Sequence, residues 1–218
     1  MERDSQVHVG AGTVTVTGTG WAEAAPDLML VSAGVECRAT SVEEAYAGAA
    51  EGMAAIAAAL RSRGIADADI QSAGLSVRAD LAWRDGEGQR LVGYVAASSL
   101  TVRLRDLGRA SATVSEAVRA AGDTARLNSL QLVLSDDSAV RTQARDAAWR
   151  DAFRTAGQYA ALASAGLGRV LSVTEQRPGG APVPVAGLQR ASTTESMPIE
   201  AGQSRVEAAV TVTWELHH

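Results

Sequence analysis

An α+β fold, a largely antiparallel sheet with helices packed on one face, is what this sequence predicts, and three observations carry the prediction. Segments with a two-residue apolar period alternate along the chain with helical segments. Two of the strand segments flank Asp85-Gly86-Glu87-Gly88, turn chemistry that joins them as a hairpin. Each of the first two helical segments carries a single apolar stripe, the pattern of an element laid on a sheet. The expected order is ββαββαβαββ. Hairpins interleaved with helices do not suit a doubly wound parallel sheet.

The elements follow in order. Residues 13–23 alternate Thr and Val and then reach Gly18 and Gly20, which in a strand point to a bulge or a close backbone approach. Pro26-Asp27 breaks this strand, and residues 28–38 form the next. Ser41-Val42-Glu43-Glu44 is a capping box, and Ala45, Ala49, Met53, Ile56 and Leu60 lie on one stripe of the helix it opens, which ends at Gly64. Residues 70–83 put Leu75, Val77, Ala79, Leu81 and Trp83 on one face and Ser76, Arg78 and Asp80 on the other. The return strand, 90–105, keeps Tyr94, Ala96, Leu100, Val102 and Leu104 in phase. The apolar face of this hairpin needs a cover, and the helix at 107–121 can supply it through Leu107, Ala110, Val114, Val118 and Ala121, with Gly122 as its stop.

A strand at 127–134 leads to Ser135-Asp136-Asp137-Ser138, which caps the longest helix, running to about residue 164. Its surface holds Ala144, Ala148, Ala152, Ala156 and Ala160, with Trp149, Phe153 and Tyr159 as the bulky members. After a strand at 170–176, residues 177–203 hold four of the five prolines and no apolar period, so they read as a long loop, a binding arm or flap. Val206, Ala208, Val210, Val212, Trp214 and Leu216 form the last strand. The organisation expected is a flexible segment over 1–12, one domain over 13–216 and a short tail at 217–218 that resembles a tag remnant.

Composition narrows the chemistry. All 20 permanently charged basic residues are arginine, and the three histidines are His8, His217 and His218, at the two ends. An interior without imidazole has no ordinary general base near neutral pH, and a chain without lysine has neither a Schiff-base amine nor a phosphate-loop lysine. A net charge of −5 with both signs dispersed excludes a nucleic-acid footprint. Aromatic residues are 4% of the chain, so Ala, Val and Leu must build the core. The single cysteine, Cys37, sits in a Val, Ala and Gly context and reads as a small buried hydrophobe. No stretch reaches the roughly 18 apolar residues of a membrane span. The start, Met1-Glu2-Arg3-Asp4, lacks an apolar leader pattern, so a cytoplasmic protein is expected as written, or a periplasmic or envelope one if a leader has been removed.

Val14-Thr15-Val16-Thr17-Gly18-Thr19-Gly20, followed by Ala22 and Pro26-Asp27, resembles the opening signature of the SIMPL domain family, a domain of unknown function. The resemblance continues through Gly64-Ile65, Asp69-Ile70-Gln71-Ser72 and Leu75-Ser76-Val77. It runs on through Gly93-Tyr94-Val95-Ala96, Leu100-Thr101-Val102 and Arg105-Asp106-Leu107, then Ala144-Arg145, Asp151-Ala152 and Leu167-Gly168. Ser72 and Ser98 stand where the family pattern leads one to expect Thr and Asn. The resemblance implies an α+β fold and, for bacterial relatives, envelope proteins that include immunogenic, oxidative-stress-linked and ring-forming members. The mammalian namesake is an adaptor in innate immune kinase signalling. No catalytic residues are established for the family, so the resemblance assigns none.

Individual candidates divide between chemistry and structure. Gly18-x-Gly20 lacks both the third glycine and the following helix of a dinucleotide site, which favours a bulge. Asp136-Asp137 and Glu43-Glu44 read as helix caps rather than cation ligands. Ser98-Ser99 and Ser192-Thr193-Thr194 offer hydroxyls without a base to activate them. Asp80, Glu207 and Glu215 are strand-face acids that could serve a hydrolase only by converging in space. Trp21, Trp83, Tyr94, Trp149 and Trp214 fall at strand ends or in apolar stripes and read as core or rim packing, any exposed one becoming an interface anchor. No catalytic residue, metal ligand or cofactor is therefore assigned. The favoured reading is a non-enzymatic module that works by self-assembly or protein binding, possible because long strands leave a free edge. The alternatives are a small-ligand carrier with 177–203 as its flap and a carboxylate-based hydrolase.

Overall fold

The computed structural model describes residues 12–84, 86, 88–176, 183–185 and 201–217. The α+β expectation holds: among the described residues eight strands, all paired antiparallel, form two sheets, and three α-helices accompany them. The strands are β1 (Gly12–Ala24), β2 (Leu28–Ala39), β3 (Ile70–Arg84), β4 (Gly88–Leu104), β5 (Ala125–Val133), β6 (Gly166–Gln176), β7 (Val183–Val185) and β8 (Gln203–His217). The helices are α1 (Val42–Ser62), α2 (Leu107–Ala121) and α3 (Ser138–Leu162). The expected order is reproduced, with β7 added inside the segment read as a loop, whose other residues lie almost wholly outside those described. The described residues divide into two compact units, a terminal one (within 12–25, 136–185 and 203–217) and a central one (within 26–135, with 201–202).

In the central unit the sheet order is β3-β4-β2-β5. Alternation along β2 sends Met29, Val31, Ala33, Val35 and Cys37 into the core, where they meet Ala45, Ala49, Ile56 and Leu60 of α1 and Ala110 and Ala117 of α2. The expected capping box opens α1: the Glu44 N–H donates to Ser41 Oγ at 3.2 Å. Past its end Gly64 takes φ +82°, a conformation glycine supplies without a Cβ penalty. Within α2 the buried line is Ala110, Thr113 and Ala117, with Leu107, Val114 and Ala121 at its margins. Thr113 is accommodated because its hydroxyl donates to the Arg109 carbonyl at 3.0 Å.

One expectation is corrected here. Helix α2 packs on β2, β5 and α1, so it does not cover the β3–β4 hairpin, and α1 lies mainly on β2 and β4. Two helices span the central strands of a four-stranded sheet; the apolar face of β3 is left open.

In the terminal unit β8 is central, flanked along its whole length by β1 and on the other side by β6 and β7. Helix α3 covers β1 and β8 with Ala144, Ala148, Ala152, Ala156 and Ala160, all essentially buried at four-residue spacing. Facing them are Gly18 and Gly20. A Cβ on Gly18 would lie 2.7 Å from the Ala152 Cβ, and one on Gly20 2.7 Å from the Ala147 carbonyl carbon. Strand β1 pairs with β8 without any register shift, so the glycines serve close approach to a helix backbone and not the bulge. At one end of this interface Trp214, 2% exposed, packs against Trp149 and Phe153 with ring centroids 6.0 and 6.5 Å away.

Candidate functional site

The candidate surface is the hairpin of the central unit. Strand β3 pairs with β4 from Ile70↔Val102 to Arg84↔Gly88, with shifts after Ser72 and Asp80, and is the terminal strand of its sheet. Gly86 and Gly88 turn the chain at positive φ. Because α1 meets β3 only slightly, the strand exposes much of its apolar set: Leu75 (56%), Val77 (38%), Leu81 (50%) and Trp83 (72%), with Leu91 and Val92 beside them on β4. A long edge strand carries a row of backbone N–H and C=O groups turned away from its sheet, and an apolar one is a template for pairing.

The opposite face of the same sheet is charged. Glu36 sits 3.2 Å from Arg38, 3.9 Å from Arg78 and 3.7 Å from Arg126, and Arg38 reaches Asp80 at 3.4 Å. Val95 lies in register between Arg38 and Arg78 and is only 1% exposed, as expected where arginine stems lie over an apolar residue. An open depression of about 420 Å³ adjoins this cluster, lined by Gly74, Ser76, Ala97, Ser99 and Asn128 among others.

A second depression in the central unit, about 770 Å³, gathers Arg63, Arg103, Arg105 and Arg109 with Asp69 and Asp106. Its charges are mostly paired. The Arg105 guanidinium donates to both Asp69 oxygens at 3.0 and 3.3 Å, which holds the Asp69 carboxyl below its usual range and raises Arg105 in turn. Arg63 lowers the Glu116 carboxyl in the same way from 2.5 Å. At the strand end Asp27 accepts both the Ser135 N–H and the Ser135 hydroxyl at 2.6 Å, and the hydroxyl is the main cause of its lowered pKa.

The candidates named from sequence fall as follows. Ser98 donates its hydroxyl to the Gly74 carbonyl at 3.2 Å, a structural bond between strands. His217 is the one histidine among the described residues and stands at the end of β8 in the terminal unit. Ser192-Thr193-Thr194 lie outside the described residues. Asp136 Oδ1 accepts the Ser138 N–H at 2.8 Å and Asp137 pairs with Arg141, so both serve the start of α3. Glu44 takes hydrogen bonds from Thr40 and Ser41, which lower its pKa. Glu207 and Glu215 are eight residues apart on one extended strand, roughly 27 Å at the usual rise, far beyond the ~9.5 Å that lets two carboxylates share a glycosidic bond. Glu215 is moreover bound by Arg169 at 2.9 Å, and Asp80 belongs to the other sheet.

No group of three metal-ligating side chains occurs among the described residues. Cys37 is buried beside Gly48, as its sequence context indicates. Tyr94 packs against the core of the central unit, and Trp214 is buried in the terminal unit beside Trp149 and Phe153. Trp21, by contrast, is exposed with the Arg205 guanidinium 4.3 Å above its ring, and Trp83 is exposed at the hairpin's far end. The charge cluster at Glu36 escaped sequence reading. Its trace is visible in retrospect as charges two apart, Glu36 with Arg38 and Arg78 with Asp80, which a strand places on one face.

A sequence profile described as "SIMPL: Protein of unknown function (DUF541)" matches residues 14–214, nearly the whole chain. The chain belongs to the SIMPL family. It is similar to two curated proteins, each named "26 kDa periplasmic immunogenic protein", from Brucella melitensis biotype 1 and Brucella abortus strain S19. Each is 29% identical over 223 residues, covering 98% of this chain and 88% of the relative. The relatives are named as periplasmic, which agrees with the envelope alternative and lends nothing to the cytoplasmic expectation. No helix among the described residues of this SIMPL protein is long and apolar enough to cross a membrane.

Proposed function

We propose that this SIMPL protein is a non-enzymatic assembly module of the bacterial envelope, acting by self-association through its open sheet edge, and that its two units together make the single functional domain over residues 13–216. The observation that carries the reading is β3: a terminal strand of 15 residues whose Leu75, Val77, Leu81 and Trp83 stay exposed because α1 meets this strand only slightly. A second strand laid along it releases water from this apolar surface and also pairs its outward backbone groups. The periplasmic names of the two relatives support the compartment.

Light scattering coupled to size exclusion at micromolar concentration tests this reading. The expected result is a particle larger than one chain. A strictly monomeric particle overturns it.

A further inference from the structure

We propose that β3 pairs with β3 of a second copy, antiparallel about a two-fold axis through Ala79. This rests on the self-association reading and names its partner, edge and register. In an antiparallel pair, residues directly opposite share a face of the sheet, and a two-fold axis at Ala79 sets each residue i against residue 158 − i of the other copy.

On the uncovered face this register places Leu75 against Trp83 and Val77 against Leu81, each twice, with Ala79 against itself. These are the side chains the monomer leaves exposed. On the opposite face it places Arg78 against Asp80, again twice. Both charges remain within reach of a second copy: Arg78 is 59% exposed and its link to Glu36 is long, at 3.9 Å, while Asp80 meets Arg38 at 3.4 Å.

Neighbouring registers fail on charge. Sliding two residues one way sets Arg78 against Arg78, and two residues the other way sets Asp80 against Asp80. A like pair directly opposite is destabilising where an opposite pair stabilises. A one-residue step in the axis is the smallest move that keeps parity, and both such steps meet like charges on the axis. The sequence Leu75-Ser76-Val77-Arg78-Ala79-Asp80-Leu81-Ala82-Trp83 is therefore self-complementary on both faces at once when the axis lies at Ala79. The pairing uses the outward amides and carbonyls of β3, about ten main-chain hydrogen bonds across residues 74–84. An isologous contact of this kind closes on itself and does not propagate into a fibre.

Charge exchange is the test. Arg78→Asp and Asp80→Arg are made singly and together, and association is measured by analytical ultracentrifugation, with circular dichroism to verify folding. Each single change sets like charges opposite at two places and is expected to weaken the two-copy contact about tenfold. The double exchange restores opposite charges across the axis while leaving the contacts to Glu36 and Arg38 reversed, so its recovery to within about threefold of the parent reports the intermolecular pair alone. In a Cys37→Ala background, Ala79→Cys is expected to yield a covalent dimer under mild oxidation.

An oligomer whose association ignores the single changes, or a double exchange as weak as the singles, or an Ala79→Cys protein that persists as an oligomer without crosslinking, overturns the register and leaves self-assembly standing. A monomeric parent protein overturns both.

Discussion

Replacing Gly20 with alanine adds one methyl group, and the structure gives it no room. The new Cβ would stand 2.7 Å from the Ala147 carbonyl carbon and closer still to the Ala148 nitrogen and the Ala144 carbonyl oxygen, where ordinary contact begins near 3.4 Å. All three neighbours are helix backbone, so no side chain can turn aside. Helix α3 must withdraw by about 1 Å, and a gap of that size forfeits a quarter to a half of each dispersion contact along Ala144, Ala148 and Ala152. Overpacking costs ~1–3 kcal/mol in a typical core, and an obstruction made of backbone belongs at the upper end, about 3 kcal/mol. With a urea m-value of ~1–3 kcal/mol/M, the unfolding midpoint falls by about 1 M or more. Gly157→Ala supplies the opposite sign from within the same helix. Nothing lies within 4 Å of its added Cβ, so helix propensity alone acts and raises stability by ~0.5–1 kcal/mol. Urea unfolding followed by far-UV circular dichroism measures both. A Gly20→Ala protein within about 0.5 kcal/mol of the parent, on the order of a surface change, would refute the close-approach argument.

Two further outcomes follow from other groups. The lowered pKa of Asp27, like those of Asp69 and Glu116, makes its stabilising effect fully present above the unfolded carboxylate value, about 4, and lost as pH falls through the lower folded value. Asp27→Asn should therefore reduce stability at neutral pH and flatten its decline below about pH 4, as read from urea midpoints between acidic and neutral pH; an unchanged decline contradicts the role of Ser135. Cys37, buried between β2 and α1, should react with a thiol reagent at least about a hundredfold more slowly in the native protein than in denaturant. Rapid native labelling would show that this part of the core opens readily.

Local periodicity was enough to read most elements. The capping box at Ser41, the Ala stripe of α3 and the alternation of β8 all depend on neighbours within a few positions, and each lies where the sequence places it. The charged face of the central sheet was less legible, because Glu36, Arg78 and Arg126 come from three strands and meet only when those strands pair. The same is true of the two glycines. Gly18 and Gly20 announce an unusual strand, yet whether they mark a bulge or a helix crossing depends on α3, more than 100 residues further on.

By itself, then, the sequence determined the class of the fold, the absence of lysine and of internal histidine chemistry, and the identity of the two faces of β3. Tertiary structure alone decided which strands of the central unit stand at its edges, that two sheets form instead of one, and that α2 lies on β2 and β5 and leaves β3 with little helix cover. The physical reason is range. Side-chain alternation and capping are fixed by bonds within a turn or two of chain, whereas the Thr15 and Thr213 hydroxyls, 2.9 Å apart, are separated by 198 positions. Closing such distances is a property of the whole packed chain, and so is the choice of which surface remains uncovered.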